Sequence, residues 1–169
     1  MKLAVGTVLL VAVALTGGLL LFAQTTSNLE GVWQIQQVTP RNGEPVNRTP
    51  LPSLVIFTTE HYSWIRIAGT QAPRNFEKHW LPTDAEKLAR YDAMFVNAGT
   101  YEINEGALTM RPMVARVPEF VGGNIEYRYR LAGDTLTLTG LDEHSFDGVQ
   151  APWAKIGQAA TLTLVRITP

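Results

Sequence analysis

The sequence predicts an all-β protein: a closed antiparallel barrel of about eight strands with one helix inserted in the middle. Three observations predict this fold. Short segments in which apolar and polar residues alternate follow one another along most of the chain. One middle segment has helical spacing instead. The first strand opens with Gly31 and Trp33 and the last carries Arg166, which suits a barrel whose first and last strands pair and leave no exposed edge.

The predicted strands are identified by alternation and by the turn residues between them. Tight turns are expected at residues 59–61, 104–106 and 133–134. The predicted strands span residues 29–38, 54–58, 62–67, 100–104, 107–115, 125–131, 135–139 and 160–167. Loops with proline or glycine are expected at residues 40–52, 68–82, 118–123 and 141–157.

The predicted helix begins with a capping box. Thr83 is the N-cap, and Glu86 can return a hydrogen bond to the N-cap backbone. Apolar side chains then recur on one helical face, at Leu88, Tyr91 and Phe95. Gly99 is a suitable stop, so the pattern predicts a helix that continues almost to this glycine.

Residues 1–23 have the pattern of an export signal. Lys2 precedes an uncharged run rich in Leu, Val and Ala, and cleavage after Ala23 would leave a mature chain that begins at Gln24. The run is also long enough to serve as a retained membrane anchor. Residues 24–28 then form a linker, and residues 29–169 form the barrel domain. We expect a periplasmic or extracellular protein, anchored to a membrane only if the segment is retained.

Composition excludes several classes of function. The chain has no cysteine, so disulfides, thiol catalysis and cysteine-containing zinc sites are excluded. The formal net charge is −1, and no basic stripe is present, which argues against nucleic acid as a partner. No cofactor motif is present.

No catalytic or metal-binding motif is evident in the sequence. The histidines, His61, His79 and His144, lie in predicted loops or turns and lack the spacing of a metal motif. The alternative is a cluster of His144 with Asp142 and Asp147 at the barrel mouth. The sequence favours solvent-exposed histidines over such a cluster.

Candidate ligand-binding residues lie on the inward-facing phase of the predicted strands. The polar-tipped or polarizable members of this set are Tyr101, Met110, Tyr127 and Tyr129. They either fill the core or line a cavity, since an eight-stranded barrel is hardly wider than its own side chains.

Trp64 and Arg66 complete the candidate site. The strand at residues 62–67 has bulky groups on both faces, so either the helix covers one face or these two side chains line the cavity. An inward Arg66 would meet an anionic head group, whereas an outward one would be solvated.

The arrangement of Gly31, Trp33 and Arg166, the segment 97–103 and the hairpin at 133–138 resemble the bacterial lipocalin-like domains of the calycin group. The resemblance covers residues 29–167. It implies a β-barrel with a central cavity, and it implies structural roles for Gly31, Trp33 and Arg166. The Thr-Asp-Tyr motif and the disulfides of the well-known secreted lipocalins are absent, so no ligand is implied.

Three functions are compatible with this fold. The first is an exported protein that binds a small apolar or amphipathic ligand in the barrel. The second is an enzyme of the isomerase or cyclase type that uses the same cavity and needs a titratable group inside it. The third is a protein-interaction module that acts through its loops, which would have a filled barrel and an exposed apolar patch.

Overall fold

The computed structural model describes residues 29–41, 44–157 and 159–167. Eight antiparallel strands pair in chain order, and the last pairs with the first to close a barrel. The predicted fold class is therefore confirmed. The strands are β1 (Gly31–Thr39), β2 (Ser53–Phe57), β3 (His61–Ile67), β4 (Met94–Asn104), β5 (Ala107–Ala115), β6 (Asn124–Ala132), β7 (Thr135–His144) and β8 (Thr161–Arg166).

In the described ranges, two α-helices and one 3₁₀ turn lie between the strands. Helix α1 (Asp84–Ala93) joins β3 to β4, and the four-residue helix α2 (Pro152–Lys155) lies between β7 and β8. Across the described ranges, no helix combines the length and apolar character that crossing a membrane requires. The predicted export segment and linker, residues 1–28, lie outside the described residues.

The predicted end of the middle helix is wrong. Helix α1 stops at Ala93, and Met94 begins β4, which pairs with the whole of β3 from Ile67 to His61. A helix that continued toward Gly99 would leave the edge of β3 unpaired, so closure of the barrel overrides the local helical spacing. The capping box at the helix start is present as predicted, with Glu86 accepting from the backbone of Thr83.

Helix α1 lies on the outside of the barrel and none of its residues is buried. The Tyr91 hydroxyl donates to the backbone carbonyl of Arg116 at 2.9 Å, and Arg116 Nη1 donates back to the carbonyl of Tyr91 at 2.9 Å. The Arg116 guanidinium also lies 4.7 Å from the centre of the Tyr91 ring. These contacts hold the helix to the end of β5.

The two ends of the barrel differ in their connections. At one end, which we call the closed end, short turns join β2 to β3, β4 to β5 and β6 to β7. At the other, the open end, the four remaining connections are longer, and they include α1 and α2. β7 extends five residues beyond its predicted end at residue 139, into the predicted loop, because its pairing with β6 continues to His144.

Trp33 covers the core at the closed end. It is fully buried, and its indole N–H donates to the carbonyl of Leu29 at 2.8 Å. Arg166 is its register partner on β8, and the guanidinium lies over the indole. Above this floor the barrel is filled by fully buried side chains that include Leu108, Leu136 and Leu164.

Gly31 leaves room for this arrangement. Its φ is +132°, and a Cβ at this position would come within 2.5 Å of Arg166 Nη1. The same nitrogen donates to the carbonyl of Glu30. A side chain at residue 31 would therefore push the guanidinium away from the indole and strain the backbone.

Candidate functional site

The upper half of the barrel, toward the open end, contains a cavity of about 470 Å³. Side chains from β3 to β8 and from α2 line it. Most of the lining is apolar or aromatic, and its charged members among the described residues are Arg66, Arg116 and Glu143. A volume of this size lies in the range of small-molecule sites, which run from roughly 300 to 1,000 Å³.

Trp64 and Asn97 form the inner part of one wall. They are register partners on β3 and β4, and their exposed fractions are 1% and 2%. Neither Trp64 Nε1 nor Asn97 Oδ1 has a hydrogen-bond partner among the described residues. Buried polar groups are nearly always hydrogen-bonded, so two unpartnered atoms on residues that are register partners form an unusual site.

Arg66 lies two residues nearer the open end of the same strand and on the same face as Trp64. Its guanidinium lies 5.1 Å from the centre of the Phe95 ring, and its buried Nε has no partner in the described part of the chain. None of the ion pairs between described residues includes Arg66. Burial lowers the pKa of this guanidinium, yet an arginine remains charged. The cavity therefore holds a cation without a carboxylate bonded to it.

Tyr127 on β6 lies against the same wall. Its ring stacks on Trp64 with a centroid distance of 5.8 Å and an interplanar angle of 27°. Burial is the main cause that raises the pKa of this phenol, and the nearby Arg66 charge lowers it. The hydroxyl therefore stays protonated at physiological pH.

Glu143 and Trp153 form the opposite side of the cavity. The indole N–H of Trp153, on α2, donates to Glu143 Oε2 at 2.5 Å. Burial raises the pKa of the Glu143 carboxyl, and the hydrogen bond from Trp153 lowers it in part. Gly140 leaves room for the Trp153 ring, because a Cβ at residue 140 would lie 3.3 Å from the ring and 3.1 Å from the Ala159 Cβ. Trp153 thus covers the cavity while it orients the carboxylate.

The structure brings together only some of the predicted ligand-binding residues. Trp64, Arg66 and Tyr127 line the cavity. The others face the interior without lining it: Tyr101, Met110 and Tyr129. The sequence left two alternatives for the strand at residues 62–67: either the helix covers one face, or Trp64 and Arg66 line the cavity. In the structure both side chains line the cavity, and α1 lies outside the barrel.

The remaining predicted residues have packing roles in the structure. Tyr101 meets the ring of Phe57 edge-on at 5.1 Å, and its hydroxyl donates to the carbonyl of Thr58 at 2.7 Å. Met110 is 1% exposed within the core. Tyr129 is half-buried against the same core.

Asn97, Glu143 and Trp153 line the cavity but are not singled out by the sequence reasoning. Asn97 lies between Phe95, the last apolar position of the predicted helical face, and the predicted stop at Gly99, and Glu143 lies in the segment predicted as loop. The sequence feature that could have identified Asn97 is alternation: it lies two residues from Phe95 and two from Gly99, on the inward-facing phase of β4. That phase becomes visible only once the strand is known to begin at Met94.

Among the ion pairs between described residues, one joins a histidine to a carboxylate. His61 and His79 are exposed, and His144 Nδ1 lies 3.8 Å from Asp142 Oδ1. The described ranges contain no group of three His, Cys, Asp or Glu side chains that could hold a metal ion. Asp147 instead accepts a hydrogen bond from the Ser145 hydroxyl.

A second cavity of about 570 Å³ lies beside the first, under the connection between β1 and β2. Ile35, Val38 and Ile67 contribute apolar lining. Arg66 lines both cavities, so its side chain stands between them.

Comparison with known proteins gives one match. A family model described as a lipocalin-like domain matches residues 30–157, which include all of β1 to β7. No curated protein and no solved structure matches the chain.

Proposed function

The chain belongs to the lipocalin-like domain family, and we propose that it binds a small apolar or amphipathic molecule in the cavity at the open end. One observation carries the proposal: a cavity of about 470 Å³ with largely apolar walls holds buried polar atoms that have no partner among the described residues. Leaving such a group unsatisfied costs on the order of 1–3 kcal/mol. A ligand that fills the space and bonds these atoms recovers that free energy.

A titration with a fluorescent fatty-acid analogue tests the proposal. The native protein should bind the probe, and Ala115→Trp should block binding because Ala115 lines the cavity. Ala98→Trp is the matched control, since Ala98 is the next position of the ladder and faces the other side of the wall. Probe binding that survives Ala115→Trp in a folded protein would place the probe elsewhere and contradict the proposal.

The cavity argues against the alternative of a module that acts only through its loops, which needs a filled barrel. Exposed apolar side chains do occur at the open end, with Trp80, Leu81 and Phe146 at 94%, 70% and 65% exposure. These side chains lie beside the cavity, and a module that docks through its loops would not require a cavity. Ligand binding therefore accounts for more of the observed features.

An enzyme of the isomerase or cyclase type is the second candidate, and Glu143 supports it. A half-buried carboxyl with a raised pKa inside a cavity is suited to proton transfer. Native mass spectrometry and chromatography of ligand retained by the native protein and by Glu143→Gln separate the two candidates. A carrier retains the same molecule in both proteins, whereas an enzyme retains substrate in the variant and product in the native form.

Export is part of the proposal and is supported by residues 1–23. The charged Lys2 and the apolar run that follows have the pattern of a signal segment. N-terminal sequencing of protein recovered from the periplasm or medium should begin at Gln24. An intact Met1 in a membrane fraction would support the retained anchor instead.

A further inference from the structure

We infer that the polar end of the ligand carries a hydroxyl or amide N–H next to a carboxylate, as in a 2-hydroxy acid or an N-acyl amino acid. The inference rests on the proposed function, because it assigns the chemistry of the molecule that the cavity binds. It follows from the kinds of polar atoms left unpartnered on the β3–β4 wall and from the order in which they lie.

The first pair of atoms requires both a donor and an acceptor from the ligand. Trp64 Nε1 can only donate, and Asn97 Oδ1 can only accept. Both side chains are buried to 98% or more, and neither atom has a partner within the described ranges. Directly opposite positions on adjacent strands have Cβ atoms about 4.5–5.5 Å apart, so one small polar group reaches both side chains.

Arg66 adds a positive charge beside this pair. It follows Trp64 on the inward face of β3, its Nε is buried without a partner in the described part of the chain, and it makes no ion pair there. The cavity's one described carboxyl, on Glu143, already accepts from Trp153. An anionic group on the ligand is therefore the partner that the guanidinium lacks.

Simpler head groups leave part of the wall unsatisfied. An unsubstituted carboxylate accepts from Arg66 and Trp64 but offers no hydrogen to Asn97. A neutral alcohol bonds Asn97 but leaves the guanidinium without a counter-charge. A carboxylate with a donor on the neighbouring atom bonds all three side chains, while its apolar tail lies against Phe95 and Tyr127.

Calorimetric titration with four ligands of one chain length tests the inference. The ligands are decanoate, each enantiomer of 2-hydroxydecanoate, and its methyl ester. One enantiomer of the hydroxy acid should bind at least about tenfold more tightly than decanoate, which corresponds to one additional buried hydrogen bond of about 1.4 kcal/mol. The methyl ester should bind at least about tenfold more weakly than the hydroxy acid because it lacks the charge.

Variants assign each part of the preference. Asn97→Leu should remove the advantage of the hydroxy acid over decanoate, and Arg66→Met should weaken both acids while it removes their advantage over the ester. Asn104→Leu is the matched control, since Asn104 is an exposed asparagine on the same strand. Trp64→Phe, which keeps an aromatic wall but removes the indole N–H together with part of the ring, serves as a second variant if Asn97→Leu does not fold.

The results separate this inference from the proposed function. If decanoate and both enantiomers bind the native protein with equal affinity, the inference is wrong and the proposed function stands. If no acid binds and the fluorescent probe does not bind either, both fail. A preference for the hydroxy acid that persists in folded Asn97→Leu would also overturn the inference, because the donor would then have another partner.

Discussion

The guanidinium carbon of Arg166 lies 4.2 Å from the centre of the Trp33 ring, and this contact joins the last strand of the barrel to the first. The two residues are register partners on β8 and β1. Arg166 is further held by Asp134, whose Oδ1 accepts from its Nε at 3.2 Å. The charged side chain thus covers an apolar floor, while its nitrogen atoms bond carbonyl and carboxylate oxygens.

We expect Trp33 and Arg166 to be energetically coupled. Trp33→Ala should lower the free energy of unfolding by about 3–5 kcal/mol, as for other buried tryptophans. A double-mutant cycle with Arg166→Ala, followed by urea unfolding, should give a coupling of about 0.5–2 kcal/mol. If the effects of the two substitutions simply add, the cation–π contact contributes nothing to stability.

The closed end was the part of the fold most open to prediction. Gly31, Trp33 and Arg166 belong to regular strands with clear alternation, and closure of an eight-stranded sheet brings the first and last strands together. The helix start at Thr83 was also predictable, because a capping box is a local interaction. The helix end was not, since it depends on pairing between β4 and β3, which is distant in sequence.

The cavity was only partly predictable for the same reason. Alternation places Trp64, Tyr127 and Tyr129 on the inward phase, but it does not indicate how deep each lies in the barrel. Tyr129 therefore packs against the core while Tyr127 lines the cavity. An inward Arg66 runs against the usual exposure of arginine, so its orientation required the structure.

The tyrosines should separate into packing and binding residues. Tyr127→Ala should weaken binding of the fluorescent fatty-acid analogue, because Tyr127 lines the cavity and stacks on Trp64. Tyr101→Ala should lower stability by about 2–4 kcal/mol through lost packing on Phe57 and should leave probe affinity unchanged in the folded fraction. Thermal unfolding beside probe titration measures both, and Tyr129→Ala serves as a second packing variant. A folded Tyr101→Ala protein that no longer binds the probe would contradict this division.

Asn97→Leu should stabilise the protein without ligand. Asn97 is 2% exposed and its side-chain oxygen has no partner in the described ranges, so an apolar side chain of similar size removes a desolvation cost of about 1–2 kcal/mol. The matched Asn104→Leu change, on the exposed part of β4, should alter stability by less than about 0.5 kcal/mol. Chemical unfolding of both variants measures the difference. A marked loss of stability in Asn97→Leu would mean that the amide contributes to folding and is not reserved for a ligand.

The free energy of unfolding of the native protein, measured relative to that of Glu143→Gln, should fall as pH rises. Burial raises the pKa of the Glu143 carboxyl in the folded protein, so folding opposes its ionisation. The favourable contribution of the protonated form is complete below the ordinary glutamate pKa of about 4.3 and is lost as pH rises through the raised folded pKa. Glutamine keeps an oxygen that accepts from Trp153 but does not ionise. Urea unfolding of both proteins across this range, without ligand, gives the slope.

Glu86→Gln should give a difference of the opposite sign. The pKa of Glu86 is lowered, first by the hydrogen bond from the Glu77 backbone N–H and then by those from Thr83. Its contribution is present above the ordinary glutamate pKa and is lost as pH falls through the lowered folded pKa. Stability relative to Glu86→Gln should therefore rise with pH below the ordinary glutamate pKa, whereas stability relative to Glu143→Gln falls above it. Because both variants replace glutamate by glutamine, general effects of the substitution cancel in the comparison. Equal slopes for the two variants would show that burial at the cavity does not govern the ionisation of Glu143.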